Sequence, residues 1–223
     1  KNKNRKNGFE GIFLSPAHPK VNSYLLSVFK EIVEEYDIDG IHLDYIRYHD
    51  SGYGKNPYAI ASYKKYNSSS NDEFSLSSDQ FSSQQWNDFK RKSITDLVSA
   101  TKDMIALINP NIELSAAVKP SLYEARERFY QEWDVWLVAG YLDKAFLMNY
   151  ATDLRAFAAN IDIMYDNLPK KYRRKIVMGI STYNQNSDEA LTKVKYTKVT
   201  RFSSVAFFSY NSLVQNKTYF QKI

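Results

Sequence analysis

The chain of 223 residues has no cysteine. That excludes disulfides, thiolate metal sites and a cysteine nucleophile, and it is compatible with either an exported or a cytosolic life. Glycine is also scarce, at 7 residues, and none of them forms a GxGxxG or GxxxxGK[ST] loop of the kind that cradles phosphates. The histidines are three, His18, His42 and His49, with no HExxH motif and no i,i+4 pair, so no catalytic metal and no cofactor is expected. No run approaches the roughly 18 consecutive apolar residues of a bilayer span, and residues 1–7 lack the apolar stretch of a secretion signal. A transmembrane segment is therefore not expected in this chain.

What is there points to one core. Hydrophobic residues make up 43% of the chain, enough for a single domain over residues 1–223. The net charge is +5, but the lysines and arginines are spread out. Their tightest cluster, residues 170–175, reads as a solvated loop, and no nucleic-acid partner is expected. Aromatic residues reach 15%, a stock that suits sugar platforms as well as packing.

Hydrophobic spacing gives an alternating pattern. Val21, Leu25, Val28, Phe29, Ile32 and Val33 share a helix face, and Pro19 fits that helix's first turn. A buried strand then spans Asp39 to Tyr48 around Ile41, Leu43 and Tyr45. Residues 49–84 have no periodicity and read as a long loop. Next come a helix from Trp86 to Ile108, a strand over 112–118, and a helix over 122–138 closed by Gly140. The remainder is a strand over 142–149, a helix over 154–168, a strand over 176–181, a helix from Ser187 or Asp188 to about Val199, and a strand over 204–210.

Strict alternation calls for a parallel sheet covered by helices, and the missing phosphate loop favours a closed barrel over a doubly wound sheet. A (β/α)8 TIM barrel needs eight strands. Five are firm here, with residues 11–14 a doubtful sixth, so the barrel is expected to be incomplete at its N-terminus. Units of about 30 residues put roughly 80 to 120 residues upstream.

Barrel catalysts sit at the carboxyl ends of strands. There the sequence offers His42, Asp44, Arg47 and Tyr48, then Lys119, then Asn149, Tyr150 and Asp153, then Tyr183, and finally Tyr210. Asp44 stands out because it interrupts an apolar strand, where an ionised carboxylate is costly unless it is paired or opens on a polar cavity. A purely structural ion pair with Arg47 is the alternative reading. Tyr45, Tyr48, Tyr183 and Tyr210 are the better placed aromatics for stacking on sugars, whereas Trp133 and Trp136 read as core.

Residues 13–19, 36–48 and 148–150, together with 133–137 and 140–143, resemble the glycosyl-hydrolase-like family 10, a group of bacterial exported proteins. The likeness runs over nearly the whole chain. It implies a (β/α)8 barrel acting on glycans, such as peptide-free peptidoglycan strands, with residues 39–48 as the fourth strand. By the same resemblance the protein is exported and its partner is a glycan substrate.

Glycoside hydrolysis by two carboxyls needs a proton donor and a nucleophile or stabiliser. Asp44 is a candidate for either role. For the second carboxyl, Glu124 and Asp153 come first, ahead of Glu127, Glu132, Asp50, Asp72 and Glu73. His42, Tyr45, Arg47, Tyr48, Lys119, Asn149, Tyr150, Tyr183 and Tyr210 are the expected substrate contacts. Residues 39–46 share the frame of the chitinase signature DxxDxDxE, but His42 replaces one Asp and Ile46 stands where that family's proton donor must be. The second expectation is a glycan-binding module on a degenerate barrel, without catalysis.

Overall fold

The computed structural model describes residues 12–69, 83–202, 204–215 and 217–222. Their elements run α1 (Val21–Glu35), β1 (Gly40–Leu43), α2 (Pro57–Ser69), α3 (Ser83–Ile108), β2 (Glu113–Val118), α4 (Leu122–Glu127) and α5 (Trp133–Ala139). They continue with β3 (Lys144–Leu147), α6 (Leu154–Asn167), a 3-10 helix (Lys170–Lys175), β4 (Ile176–Ser181), α7 (Ser187–Val199), β5 (Ser204–Phe208), α8 (Tyr210–Gln215) and α9 (Lys217–Lys222). The five strands lie in chain order in one sheet, and every neighbouring pair is parallel. This is the α/β architecture that the alternation predicts.

The sheet has two unlike faces. Ile41 and Leu43, Leu114, Ala116 and Val118, Ala145 and Leu147, and Ile176, Met178 and Ile180 form one face and are all buried against the helices. Trp133 and Trp136 of α5 seal that layer, and each indole N–H is satisfied: Trp133 donates to the Lys119 carbonyl at 3.0 Å and Trp136 to Thr95 Oγ1 at 2.8 Å. On the opposite face the register aligns His42 with Ser115, Ala117 with Phe146, and Gly179 with Ala206. Apart from Phe146, these residues are smaller or more polar. Gly179 is needed here, because a Cβ would strike the Leu147 carbonyl oxygen and crowd Tyr150.

Several local expectations need correction. The segment read as a loop over 49–84 contains α2, and residues 70–82, with Asp72 and Glu73, lie outside the described residues. Two things make α2 a helix. Asn56 Oδ1 accepts the Ala59 N–H at 3.0 Å, with Pro57 at the first helical position, and Ala59 and Tyr63 then dock on Trp86 and Phe89 of α3. The strand expected over 39–48 is only Gly40–Leu43, since Tyr45 turns the chain with φ 55°. The basic run at 170–175 is a 3-10 helix rather than a loop. Pro19 lies in the turn before α1, α7 is capped by Asn186 in a capping box with Glu189, and residues 12–14 form no strand.

The single helix expected over 122–138 is two helices. Between them Tyr130 adopts φ 55°, and Gln131 is wholly buried. The Gln131 amide donates to the carbonyls of Ile46 at 3.2 Å and Ala117 at 3.1 Å, and its oxygen accepts the Lys119 N–H at 2.8 Å. A continuous helix could not deliver that side chain to the ends of two strands. Gln131→Leu should therefore strand three backbone groups and lower stability by about 2 to 4 kcal/mol in urea denaturation. A change under about 0.5 kcal/mol would show that these bonds are dispensable.

Candidate active site

Alternation along β1 puts Ile41 and Leu43 into the core and turns His42 to the open face. Asp44 follows the last strand residue, with its side chain 63% exposed. It is not buried in an apolar strand, as its neighbours suggested, because its face of the sheet is the open one. Asp44 Oδ1 accepts the Tyr45 N–H at 2.7 Å and lies 3.9 Å from the Arg47 guanidinium. The expected pair with Arg47 exists but is loose, and it leaves the carboxylate accessible. Arg47 itself is largely buried, with its guanidinium 4.1 Å over the Tyr45 ring.

His42 and Tyr150 feel the charge of Asp44. Burial lowers the His42 pKa from its ordinary value, and Asp44 opposes part of that. Burial, then Tyr183 and Asp44, push the Tyr150 phenol upward. His42 Nδ1 lies 2.9 Å from Ser115 Oγ, and the ring meets Phe146 edge-on at 4.9 Å. Tyr150 stacks on Phe208 at 5.4 Å and 12°, and Tyr183 stands edge-on to both rings. Tyr183 and Phe208 are 56% and 53% exposed, so this aromatic corner faces outward at the carboxyl ends of β3 to β5.

The other expected site residues are placed elsewhere. Tyr45 stacks on Phe13, which also stacks on His49, beside a cleft of about 290 Å³ lined by Arg47, Tyr48, Tyr53 and Lys55. Tyr48 is buried against Tyr130, and burial drives its phenol far upward. Asn149 is 1% exposed, donates to the Phe157 carbonyl at 3.0 Å and accepts from Asn160 at 2.9 Å. The Lys119 ammonium lies 4.4 Å over the Phe129 ring, and Tyr210 is exposed at the start of α8.

Among the described residues, each alternative carboxyl has a local partner. Glu124 pairs with Arg128 at 3.2 Å, and Arg128 pairs in turn with Asp50 at 2.8 Å, which holds the Asp50 carboxyl below its usual range. Asp153 caps α6 by accepting the Ala156 N–H at 2.9 Å. Glu127 and Glu132 meet Arg91 at 3.3 and 3.7 Å, and burial raises the Glu132 pKa. Among the described residues no cluster of three His, Asp or Glu side chains could hold a metal.

One titratable group lies deep beneath the turn after β1. Lys90 of α3 is 1% exposed, donates to the Ser51 carbonyl at 3.2 Å, and sits 3.5 Å over the Tyr130 ring. Burial, followed by Lys55 and Arg91, lowers its pKa to about 7.

The profile of the glycosyl hydrolase-like 10 family matches residues 3–215. The chain belongs to that family. No curated protein matches it. Among solved structures it is similar to the PgaB (BpsB) glycoside hydrolase domain from Bordetella bronchiseptica, at 12% identity and a TM-score of 0.75. That superposition covers 97% of this chain and 66% of the Bordetella chain, and it shows a shared, TIM-barrel-like fold. The chain thus spans slightly under two thirds of its structural relative. No helix among the described residues is long and apolar enough to cross a membrane.

Ser115, Phe146 and Phe208 escaped the reading of the sequence. Nothing in a single strand's pattern marks them, since their relation to His42 and Tyr150 comes from the register between strands.

Two measurements follow for this family member. Asp44→Asn removes the charge that raises the His42 pKa, so an NMR titration should find it lower still; an unchanged value would separate the two residues. For Lys90, the unfolded state holds more protons than the folded state between about pH 7 and its ordinary 10.5. Stability should therefore rise with pH across that interval in the wild type relative to Lys90→Met. Parallel stability curves for the two proteins would contradict the lowered pKa.

Proposed function

We propose that the protein is an exported glycoside hydrolase, with these five strands part of one (β/α)8-barrel domain, and that it cleaves a polysaccharide at the carboxyl ends of the strands. The observation that carries this reading is Asp44, an exposed carboxylate at the end of β1 whose charge reaches His42 and Tyr150. The Tyr150–Phe208–Tyr183 corner supplies apolar rings of the kind that stack on sugars. Family membership and the shared fold with a glycoside hydrolase domain support the same reaction class.

In this reading Asp44 is the nucleophile or electrostatic stabiliser. It has a backbone N–H on one side and a guanidinium on the other, a setting that suits negative charge during formation of an oxocarbenium-like transition state. Of the two expected partners Glu124 is assigned the proton donor, because its half-exposed side chain lies just past β2 and its surface pair with Arg128 can open, whereas Asp153 is engaged in capping α6. His42, Tyr150 and Tyr183 contact the glycan directly. Tyr45, Arg47 and Lys119 extend the contacts along the rim, and Tyr210 does so beside the aromatic corner. Tyr48 and Asn149 act from within the fold. The substrate is an amino-sugar glycan such as peptide-free peptidoglycan, and the net charge of +5 favours one that carries carboxylates.

A second reading, a glycan-binding module without catalysis, draws on the same carboxyls. Glu124 is paired with Arg128 and Asp153 caps α6, so each carboxyl already has a structural role. Turnover on a panel of defined glycans decides between the two. The hydrolase reading expects cleavage of at least one glycan and a loss of about 100-fold or more in kcat for Asp44→Asn, with glycan binding kept. Retention of glycans with no cleavage by the wild type would establish the binding module instead, and undiminished cleavage by Asp44→Asn would remove Asp44 from the mechanism.

A further inference from the structure

His42 projects from β1 onto the open sheet face, one pleat from Asp44, and its ring has a built contact on each side. Nδ1 meets Ser115 Oγ at 2.9 Å across the β1–β2 register, and the ring edge meets Phe146 of β3. Ser115 Oγ also lies 3.4 Å from the Ile41 carbonyl. A serine hydroxyl has one proton to give. If it goes to the Ile41 carbonyl, an oxygen lone pair remains for a His42 Nδ1–H; if it goes to Nδ1, the carbonyl contact is lost. The Nδ1–H tautomer alone satisfies both contacts.

The hydrogen bond made by one imidazole nitrogen sets the state of the other. With Nδ1 protonated and the ring neutral near pH 7, Nε2 carries a lone pair. Burial favours the neutral ring and outweighs the opposing pull of Asp44. Nε2 has no hydrogen-bond partner among the described residues, and the residue is exposed on the face that bears Asp44.

We propose that Ser115 is a positioning residue which holds His42 as the Nδ1–H tautomer, so that Nε2 accepts a hydrogen bond from a hydroxyl or amide N–H of the glycan beside Asp44. This rests on the reading of Asp44 as the centre of a glycan site. It adds a serine that touches no substrate and a histidine whose role is acceptance: a glycan lacking the matching donor would leave Nε2 unsatisfied and bind less well.

The tautomer can be read without any substrate. In a long-range proton–nitrogen spectrum of 15N-labelled full chain above pH 7, three imidazoles appear, and His42→Gln assigns the relevant one. The wild type should show His42 protonated at Nδ1. Ser115→Ala should move it toward the Nε2–H form, and Ser115→Thr, which restores a hydroxyl, should return it. On a cleaved or bound glycan, Ser115→Ala should weaken kcat/KM or affinity by roughly 10-fold, with rescue by Ser115→Thr. A wild-type His42 protonated at Nε2 would overturn the proposal, and so would a tautomer that ignores Ser115→Ala. Because the wild-type spectrum is decisive alone, a misfolded variant does not rescue it. Failure of the hydrolase reading would show instead as absent cleavage with the tautomer as stated.

Discussion

A single buried amide holds the carboxyl ends of β1 and β2 together. Gln131 gives its two amide protons to the carbonyls of Ile46 and Ala117 and takes the Lys119 N–H on its oxygen. Ile46 and Lys119 lie past the ends of β1 and β2, and Ala117 lies beyond the last β1–β2 pair, so without a side-chain partner these groups would be desolvated and unpaired. The clasp breaks the helix that apolar spacing would otherwise continue, and the break brings Tyr130 against Tyr48 and Lys90. It also fixes the turn that carries Asp44, because Ile46 is two residues beyond it. The turn that carries the candidate catalytic carboxylate is thus held from behind by a glutamine bonded to the Ile46 carbonyl and the Lys119 N–H.

The sheet divides its labour between its faces. The helix-covered face is uniformly apolar and fully packed, which supplies the cohesive energy of the fold. The open face carries glycine, alanine and serine with one histidine and a few aromatic rings. In the proposed function, small side chains on that face leave the room a glycan needs, and polar ones at the carboxyl ends supply the chemistry. Asp44, His42 and Tyr150 are electrostatically coupled there, while Phe208 and Tyr183 extend the surface with rings.

The helices α1, α3 and α6 and the strand Ile176–Ser181 were legible in the sequence from their local apolar period, and α7 from the polar residues at its start. Helix α2 was missed, although Asn56 and Pro57 mark its start, since among the described residues only Ala59 and Tyr63 of it are fully buried, with Ile60 partly so and the exposed Tyr66 resting on Phe89. Among the candidate residues, the strand ends bring Asp44 within electrostatic reach of His42 and Tyr150. The strand-end rule also singled out Asn149, whose amide is in fact consumed by the Phe157 carbonyl and Asn160.

By itself the sequence determined the parallel α/β order, the family and the acidic residue after the first described strand, because these follow from periodicity, motif and position along the chain. Only the tertiary structure decided that Asp44 is open rather than buried, that Gln131 rather than a helix occupies the strand ends, and that Ser115 faces His42. The reason is register and long-range pairing. Contacts between residues 42 and 115, or 46 and 131, span more than seventy positions and depend on how strands are aligned, which no local pattern encodes.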